Sequence, residues 1–486
     1  PWMSPSSRLL LTLLLPVAPV VALAAEGGSA GRRPNIVLIM ADDLGTGHLG
    51  FNGQRLIRTP QIDRMRAEGM YFTRAYAGCS VCAPSRSTLM TGLHMGRTSV
   101  RGNAGGTPLL PGDVTVAAVL RRAGYATGGF GKWGLGDAGT TGMPNRQGFD
   151  TFFGYYHQVH AHSFYPAYLW LDGERYHLPG NSGRESDGLT GDVRGQYAHD
   201  EIHSKALDFI QANRHRPFFC YIPYTLPHLE LLVPEDSLAE YRDAFPEPHP
   251  YALPDRHFQD QPRPRAALAA MVTRLDRSVG QVLELLRRLG LEENTLVLFA
   301  SDNGAPSGDL PGPDFFRGNG QLRGAKGSLY EGGLRVPLIA RWPGRIAAGS
   351  ACDVPCYFPD LMPTLAEFAG ANAFLPPSID GISLVPSLLG EVRAGRSQSR
   401  HDFMYWEWGA GPRMQRAVRM GRWKAVVPAP GRPVQLYDLE ADESETTDVA
   451  SRESAIVERI GGSLNSCRTE PLPREEPAGR GRWRLR

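Results

Sequence analysis

Ile36-Val37-Leu38-Ile39-Met40-Ala41-Asp42-Asp43 is a continuous apolar run that stops abruptly on two carboxylates. A run without polar alternation predicts a parallel strand buried on both faces, from Asn35 to Met40. Val297-Leu298-Phe299-Ala300-Ser301-Asp302-Asn303-Gly304 repeats the arrangement in the second half of the chain. Ligands of open α/β sheets bind outside the carboxyl ends of the strands, which is where both acidic pairs fall. Taken singly, Asp42 or Asp302 can be the cap of a turn or helix. Taken together, Asp42, Asp43, Asp302 and Asn303 form an oxygen-donor set suited to a hard divalent cation. Without a cation, neighbouring buried carboxylates would repel one another.

Between and beyond these strands, helical and strand-like patterns alternate. Val114 to Arg122, His199 to Asn213 and Arg265 to Leu289 read as helices; Ala126 to Phe130, Phe218 to Tyr224 and Thr295 to Ala300 read as strands. The alternation predicts an α/β fold: a mostly parallel sheet covered by helices on both faces. Past residue 375 the rhythm changes to short strand-like runs, Phe403 to Trp408, Met414 to Met420, Trp423 to Val427 and Gln435 to Leu439. These predict a smaller C-terminal α+β subdomain carrying an antiparallel sheet. The expected organisation is a leader over 1–25, a large domain over 32–375, the subdomain over 376–472 and a basic, disordered tail over 473–486. The Pro- and charge-rich stretch from Phe245 to Pro264 reads as an insertion near a substrate mouth or as a long surface loop.

The chain has 486 residues, 42% of them hydrophobic and 21% charged, as in ordinary globular proteins. With 52 Lys+Arg against 50 Asp+Glu the formal charge is +2, so no global field attracts nucleic acid and an anionic substrate must meet local charge. Arg8 followed by Leu9 to Leu15, then Pro16, then Ala22-Leu23-Ala24 reads as a bacterial export signal leading to the periplasm or the medium. The run is short and proline-interrupted for a stable membrane insertion, although an uncleaved anchor is the other reading. The six cysteines, Cys79, Cys82, Cys220, Cys352, Cys356 and Cys467, are few for an exported chain. No N-x-Ser/Thr acceptor is present.

Cys82-Ala83-Pro84-Ser85-Arg86 continues as Ser87-Thr88-Leu89-Met90-Thr91-Gly92. Pro84 belongs in the first turn of a helix and Gly92 just past its end, which places Cys82 at an anion-favouring helix N-terminus. Cys79 and Cys82 as a zinc site lack a second ligand pair of suitable spacing, and a redox pair would not need Pro84-Ser85-Arg86. The segment resembles the signature of type I sulfatases, in which this cysteine is oxidised to formylglycine. Gly131-Lys132-Trp133-Gly134-Leu135-Gly136 resembles the family's first lysine loop. Tyr224-Thr225-Leu226-Pro227-His228 resembles its histidine segment. Leu322-Arg323-Gly324-Ala325-Lys326-Gly327, with Tyr330-Glu331-Gly332-Gly333-Leu334-Arg335-Val336-Pro337, resembles its second lysine block.

The resemblance runs from about Pro34 to Pro343 and implies an alkaline-phosphatase-like fold. It also implies a sulfuric ester hydrolase in which Asp42, Asp43, Asp302, Asn303 and the modified Cys82 bind Ca²⁺, with Mg²⁺ as the other candidate. Arg86, Lys132 and Lys326 add positive charge, and His228 is the expected acid for the departing oxygen, with Lys326 next. A formylglycine-generating enzyme is the implied maturation partner. One departure stands out: the family often has histidine where this chain has Gly134. His160 and His162, nearby in Gln158-Val159-His160-Ala161-His162, are the candidate replacements as base for sulfate elimination. The aromatic run Tyr155, Tyr156, Tyr165, Tyr168 and Trp170, with Tyr405-Trp406-Glu407-Trp408, suggests stacking on a sulfated sugar, with core packing as the alternative. The competing functions are a phosphonate or phosphate ester hydrolase with the same machinery and a non-catalytic glycan-binding protein.

Overall fold

A computed structural model describes residues 33–183, 190–247, 259–307 and 315–470. The leader and the basic tail lie outside the described residues, as does most of the proline-rich 245–264 stretch.

The apolar run forms a strand, Asn35–Ala41, fully buried along its length. Its side chains alternate between two cores: Val37, Ile39 and Ala41 face one, Ile36, Leu38 and Met40 the other. A strand buried on both faces belongs in the middle of a sheet, and this one pairs in parallel with Phe218–Pro223 on one side and Thr295–Ser301 on the other. Ala126–Lys132 and Thr151–Tyr155 continue the parallel set. Antiparallel or short strands complete a ten-stranded sheet at both edges. The long helix Pro264–Arg288 and helix Ala198–Ala212 cover one face; helices Val116–Arg122 and Leu361–Phe368 cover the other. The predicted mostly parallel sheet with helices on both faces is the architecture found.

The register puts the functional strand ends level. Ala41 pairs with Ser301, so Asp42-Asp43 and Asp302-Asn303 leave the sheet side by side. The Asp302 N–H donates to Ala41 O at 3.1 Å, and the Asp42 N–H to Leu226 O at 3.0 Å, which ties the segment leading to His228 into the same edge.

Four antiparallel strands, Met404–Trp408, Gln415–Met420, Trp423–Val427 and Gln435–Asp438, form a separate sheet close to the sequence-based boundaries. One face packs on Cys79, Val81 and Met95, next to the Cys82 segment. The other packs on Tyr76, Leu329 and Leu334, around the second lysine block. Lys424 lies inside that second contact, fully buried, 2.9 Å from Glu331 and 3.0 Å from Glu445. Glu331 also accepts from Tyr76 Oη and Arg335 Nε, each at 2.8 Å. A buried ion network of this kind is costly to desolvate and costlier to break, because removing one partner strands the opposite charge.

Lys424→Met is therefore expected to lower the unfolding free energy by about 3–5 kcal/mol, measured as a shift in urea midpoint. Adding Glu445→Gln to it should recover part of that loss, since the second carboxylate then needs no counter-charge.

Candidate active site

Helix Cys82–Thr91 is buried throughout, and Cys82 is its first residue, as Pro84 and Gly92 predict. Gly92 closes it in the left-handed conformation, φ 67°, its N–H donating to Thr88 O. At the other end the Ala83 N–H donates to Asn103 Oδ1 at 2.9 Å. Ser85 Oγ donates to Asp302 O at 2.6 Å and pins the first turn to the strand end. Cys82 Sγ lies 3.5 Å from Asp42 Oδ1. Burial pushes its thiol up to about 12, with Lys132 and Lys326 pulling the other way. The encoded side chain is thus a protonated, buried thiol, a poor nucleophile as it stands.

Three carboxylates and one amide meet in front of this helix. The Asp43 N–H donates to Asp302 Oδ1 at 3.1 Å, and Asn303 Nδ2 donates to Asp43 Oδ1 at 2.7 Å. Asp43 takes φ 66°, in the left-handed region that short polar side chains tolerate best. Each carboxylate faces a cation from a different segment. Lys132 Nζ is 2.7 Å from Asp42 Oδ2, and Lys326 Nζ is 2.8 Å from Asp43 Oδ2. Arg86 sets Nη2 at 2.7 Å and Nε at 3.1 Å from Asp302 Oδ2, and donates to Lys132 O at 2.7 Å. Burial alone would raise the Asp42 carboxyl, but Lys132, His228 and Arg86 outweigh it and hold it at about 2. Asp43 is likewise held below its usual value, by Lys326 and His228 against burial.

His228 Nδ1 faces Leu229 O at 2.6 Å and its Nε2 faces Lys326 Nζ at 3.1 Å. The carbonyl fixes the tautomer: Nδ1 carries the hydrogen and Nε2 accepts from the ammonium. Burial, then Lys326, lowers this imidazole to about 4 against the pull of Asp42 and Asp43.

The donor chemistry fits a divalent cation. Asp42, Asp43, Cys82 and His228 offer ligand atoms within 4.8 Å of one another. Asn303 Oδ1 is buried and accepts no hydrogen bond among the described residues, a carbonyl oxygen left over in a nest of carboxylates. An orphaned buried acceptor beside anionic oxygens is what an oxygen-ligated ion would satisfy.

Structure thus brings together Asp42, Asp43, Cys82, Arg86, Lys132, His228, Asp302, Asn303 and Lys326, all singled out from sequence. It separates the two remaining histidines. His162 stacks on His228 with ring centroids 4.5 Å apart, whereas His160 packs against Tyr155 and Tyr168 at 5.0 and 4.8 Å. The aromatic run is largely core: Tyr155, Tyr156, Tyr165 and Tyr168 are buried, and Tyr156 stacks on Trp170 at 5.3 Å. Tyr405 and Trp406 are buried too, and Trp406 donates to Ala77 O. Trp408, half-buried beside Gly327, is the aromatic left near the lysine block. Sequence reading assigned no role to Asn103, whose contact ties a loop without a motif to Ala83 in the first turn of the helix, nor to Gln415. Gln415 clamps the lysine block by donating to Gly327 O at 3.1 Å.

Comparison with known proteins gives a sulfatase family model matching residues 34–371 and an N-sulphoglucosamine sulphohydrolase C-terminal model matching 325–469. Human arylsulfatase A is 35% identical over 441 residues, covering 84% of this chain and 77% of the relative. Mouse N-acetylgalactosamine-6-sulfatase is 33% identical over 441 residues, covering 85% and 75%. Among solved structures, Ps i-CgsB in complex with k-i-k-neocarrahexaose superposes with a TM-score of 0.72 at 27% identity, covering 92% of this chain and 96% of that one.

Added to metal-free protein at a hundredfold excess over its Kd, Ca²⁺ or Mg²⁺ is expected to stabilise the fold by about 2.7 kcal/mol, read as a thermal shift. Asp43→Asn should lose most of that shift; an undiminished shift would place the ion elsewhere.

Proposed function

The chain belongs to the sulfatase family and hydrolyses sulfate esters, and from that premise we propose that it does so through a formylglycine made from Cys82, with a divalent cation, on a sulfated sugar. The observation that carries this reading is the convergence of Asp42, Asp43, Asp302 and Asn303 on the N-terminus of the helix that begins at Cys82. Three cations from separate segments surround that point.

The cation, Ca²⁺ in our reading, would be held by Asp42, Asp43, Asp302, Asn303 and the modified residue 82, and when bound it supplies electrostatic stabilisation of the charge on sulfate oxygens. Formylglycine at residue 82 would supply, as its hydrate, one hydroxyl to act as nucleophile toward sulfur and a second whose deprotonation would return the aldehyde and release sulfate without water attacking sulfur. Arg86 holds Asp302 and the Lys132 backbone in one geometry, so the donor set and the first lysine are fixed relative to each other. Lys132 and Lys326 carry positive charge to either side of the helix end, where an anionic ester must sit. His228 Nε2 and Lys326 Nζ share a hydrogen bond, and this pair is our candidate source of the proton for the departing alcohol oxygen, His228 before Lys326.

For the substrate, N-acetylgalactosamine-6-sulfatase among the relatives and the neocarrahexaose complex among the structures are named for sugars. A sulfated carbohydrate is accordingly the proposed class, with Trp408 the aromatic available to meet it. Among the described residues no helix is long and apolar enough to cross a membrane. We place the enzyme outside the cytoplasm on its leader sequence, with a formylglycine-generating enzyme as its maturation partner.

The test is sulfate release from a sulfated sugar by protein co-produced with that maturation enzyme. The Cys82 peptide should show the mass loss of CH₂SH becoming CHO. Cys82→Ala should abolish turnover, and His228→Gln and Lys326→Met should each lower kcat by about 10²–10⁴-fold. Faster turnover of a matched phosphate ester would point instead to a phosphate or phosphonate hydrolase. Retained activity in Cys82→Ala would overturn the nucleophile.

A further inference from the structure

Gly134 leaves a gap in the wall of the site, and a different side chain fills it. The residue takes φ 79°, and its N–H donates to Tyr156 O at 3.0 Å, which holds the first lysine loop against the strand that follows. A Cβ placed on Gly134 would lie 3.9 Å from Ala83 Cβ and 4.0 Å from Arg86 Cδ, on the flank of the first turn of the Cys82 helix. It would lie 2.9 Å from Gln158 Oε1. The Gln158 amide therefore stands in the space that a side chain at 134 would enter.

Gln158 is only 1% exposed, yet neither its Oε1 nor its Nε2 has a hydrogen-bond partner among the described residues. A buried amide with both ends unpaired costs free energy that an apolar side chain of the same length would not. Native structures pair the great majority of such groups with protein, water, ion or ligand, so an amide without a protein partner on the flank of the Cys82 helix is a candidate to meet a ligand there. His160, two residues on, packs between Tyr155 and Tyr168, and His162 stacks on His228, so neither ring fills the gap beside Ala83.

We propose that Gln158 is a positioning residue of this enzyme: its amide orients the modified residue 82 and the bound sulfate from the side left open by Gly134. The carboxamide suits that task. Oε1 accepts from a hydroxyl while Nε2 donates to an anionic oxygen, so one side chain can hold both partners in register. Unlike an imidazole, it takes up no proton near neutral pH, so the position supplies orientation without an ionisation of its own. The inference rests on the formylglycine reading above.

Gln158→Met is the discriminating variant, because it keeps length and volume while removing both unpaired polar atoms. With Cys82 unconverted and metal removed, its melting temperature should equal or exceed that of the wild type. After conversion, with rates normalised to the aldehyde content of the Cys82 peptide, kcat should fall by about 10- to 100-fold with KM changed by less than about twofold. Gln158→His should add an ionisation to the kcat–pH profile between about pH 5 and 8. A kcat within about twofold of wild type in Gln158→Met, or a melting temperature that falls together with activity, would overturn the proposal. So would a Gln158→His profile superimposable on the wild type. Wild-type turnover measured in parallel keeps the two readings apart: an active wild type sustains the sulfatase mechanism whatever the Gln158 variants do.

Discussion

Three carboxylates held out of water at one point are the constraint from which the rest of this structure follows. Asp42, Asp43 and Asp302 are all buried, and the Asp43 amide and the Asn303 amide reach across to join them. Left alone they would repel, and burial would push Asp42 and Asp43 toward protonation. The chain answers with a separate cation for each: Lys132 for Asp42, Lys326 for Asp43, Arg86 for Asp302. Those three residues come from a central strand, a late loop and a helix. Charge balance at one point thus requires distant segments of the chain to be folded at once.

That requirement explains the role of the C-terminal sheet. Lys326 sits in a loop with little regular structure, and its side chain is still 20% exposed. The loop is held from behind: Gln415 donates to Gly327 O, and Glu331 anchors the following turn through Lys424 and Arg335. Buried ion pairs add little net stability compared with well-packed apolar residues. They do fix direction, because a buried charged group is satisfied only by the few groups of opposite charge or polarity aimed at it, whereas an apolar group packs on any apolar neighbour. A network that specifies where the second lysine block lies serves the site better than a greasier contact that would let it slide.

Much of this was legible in the sequence because the informative residues obey short-range rules. Strand 35–41 announces itself as an unbroken apolar run, and Pro84 and Gly92 bracket helix 82–91 by the backbone angles they prefer. The nine site residues were found because each lies at the end of such an element or in a recognisable motif. What escaped depends on side-chain direction. Tyr155, Tyr156 and Tyr168 share composition with a sugar platform, but a strand alternates its faces and packs them into the core. His160 and His162 are two residues apart in a tight 3₁₀ turn, which sends one ring to Tyr168 and the other to His228. Lys424, read as a strand residue, gives no local sign that Glu331 lies opposite. Gln158 is silent for the same reason: an amide becomes conspicuous only when its surroundings are known to leave it unpaired.

Two of the buried polar groups that lack a partner among the described residues border the Cys82 helix. Asn303 Oδ1 lies among the carboxylates, and the Gln158 amide lies beside Gly134. A folded chain optimised only for stability would have paired or replaced them, at a gain of about 1–3 kcal/mol for each buried group. Their persistence places the cost of preorganisation in the resting protein rather than in the transition state. Donors and acceptors already desolvated and aimed need no rearrangement when charge develops between them. On the proposed mechanism these two groups stay open in the resting protein because their partners, a cation for Asn303 and the modified residue 82 with its sulfate for Gln158, come only with maturation and substrate.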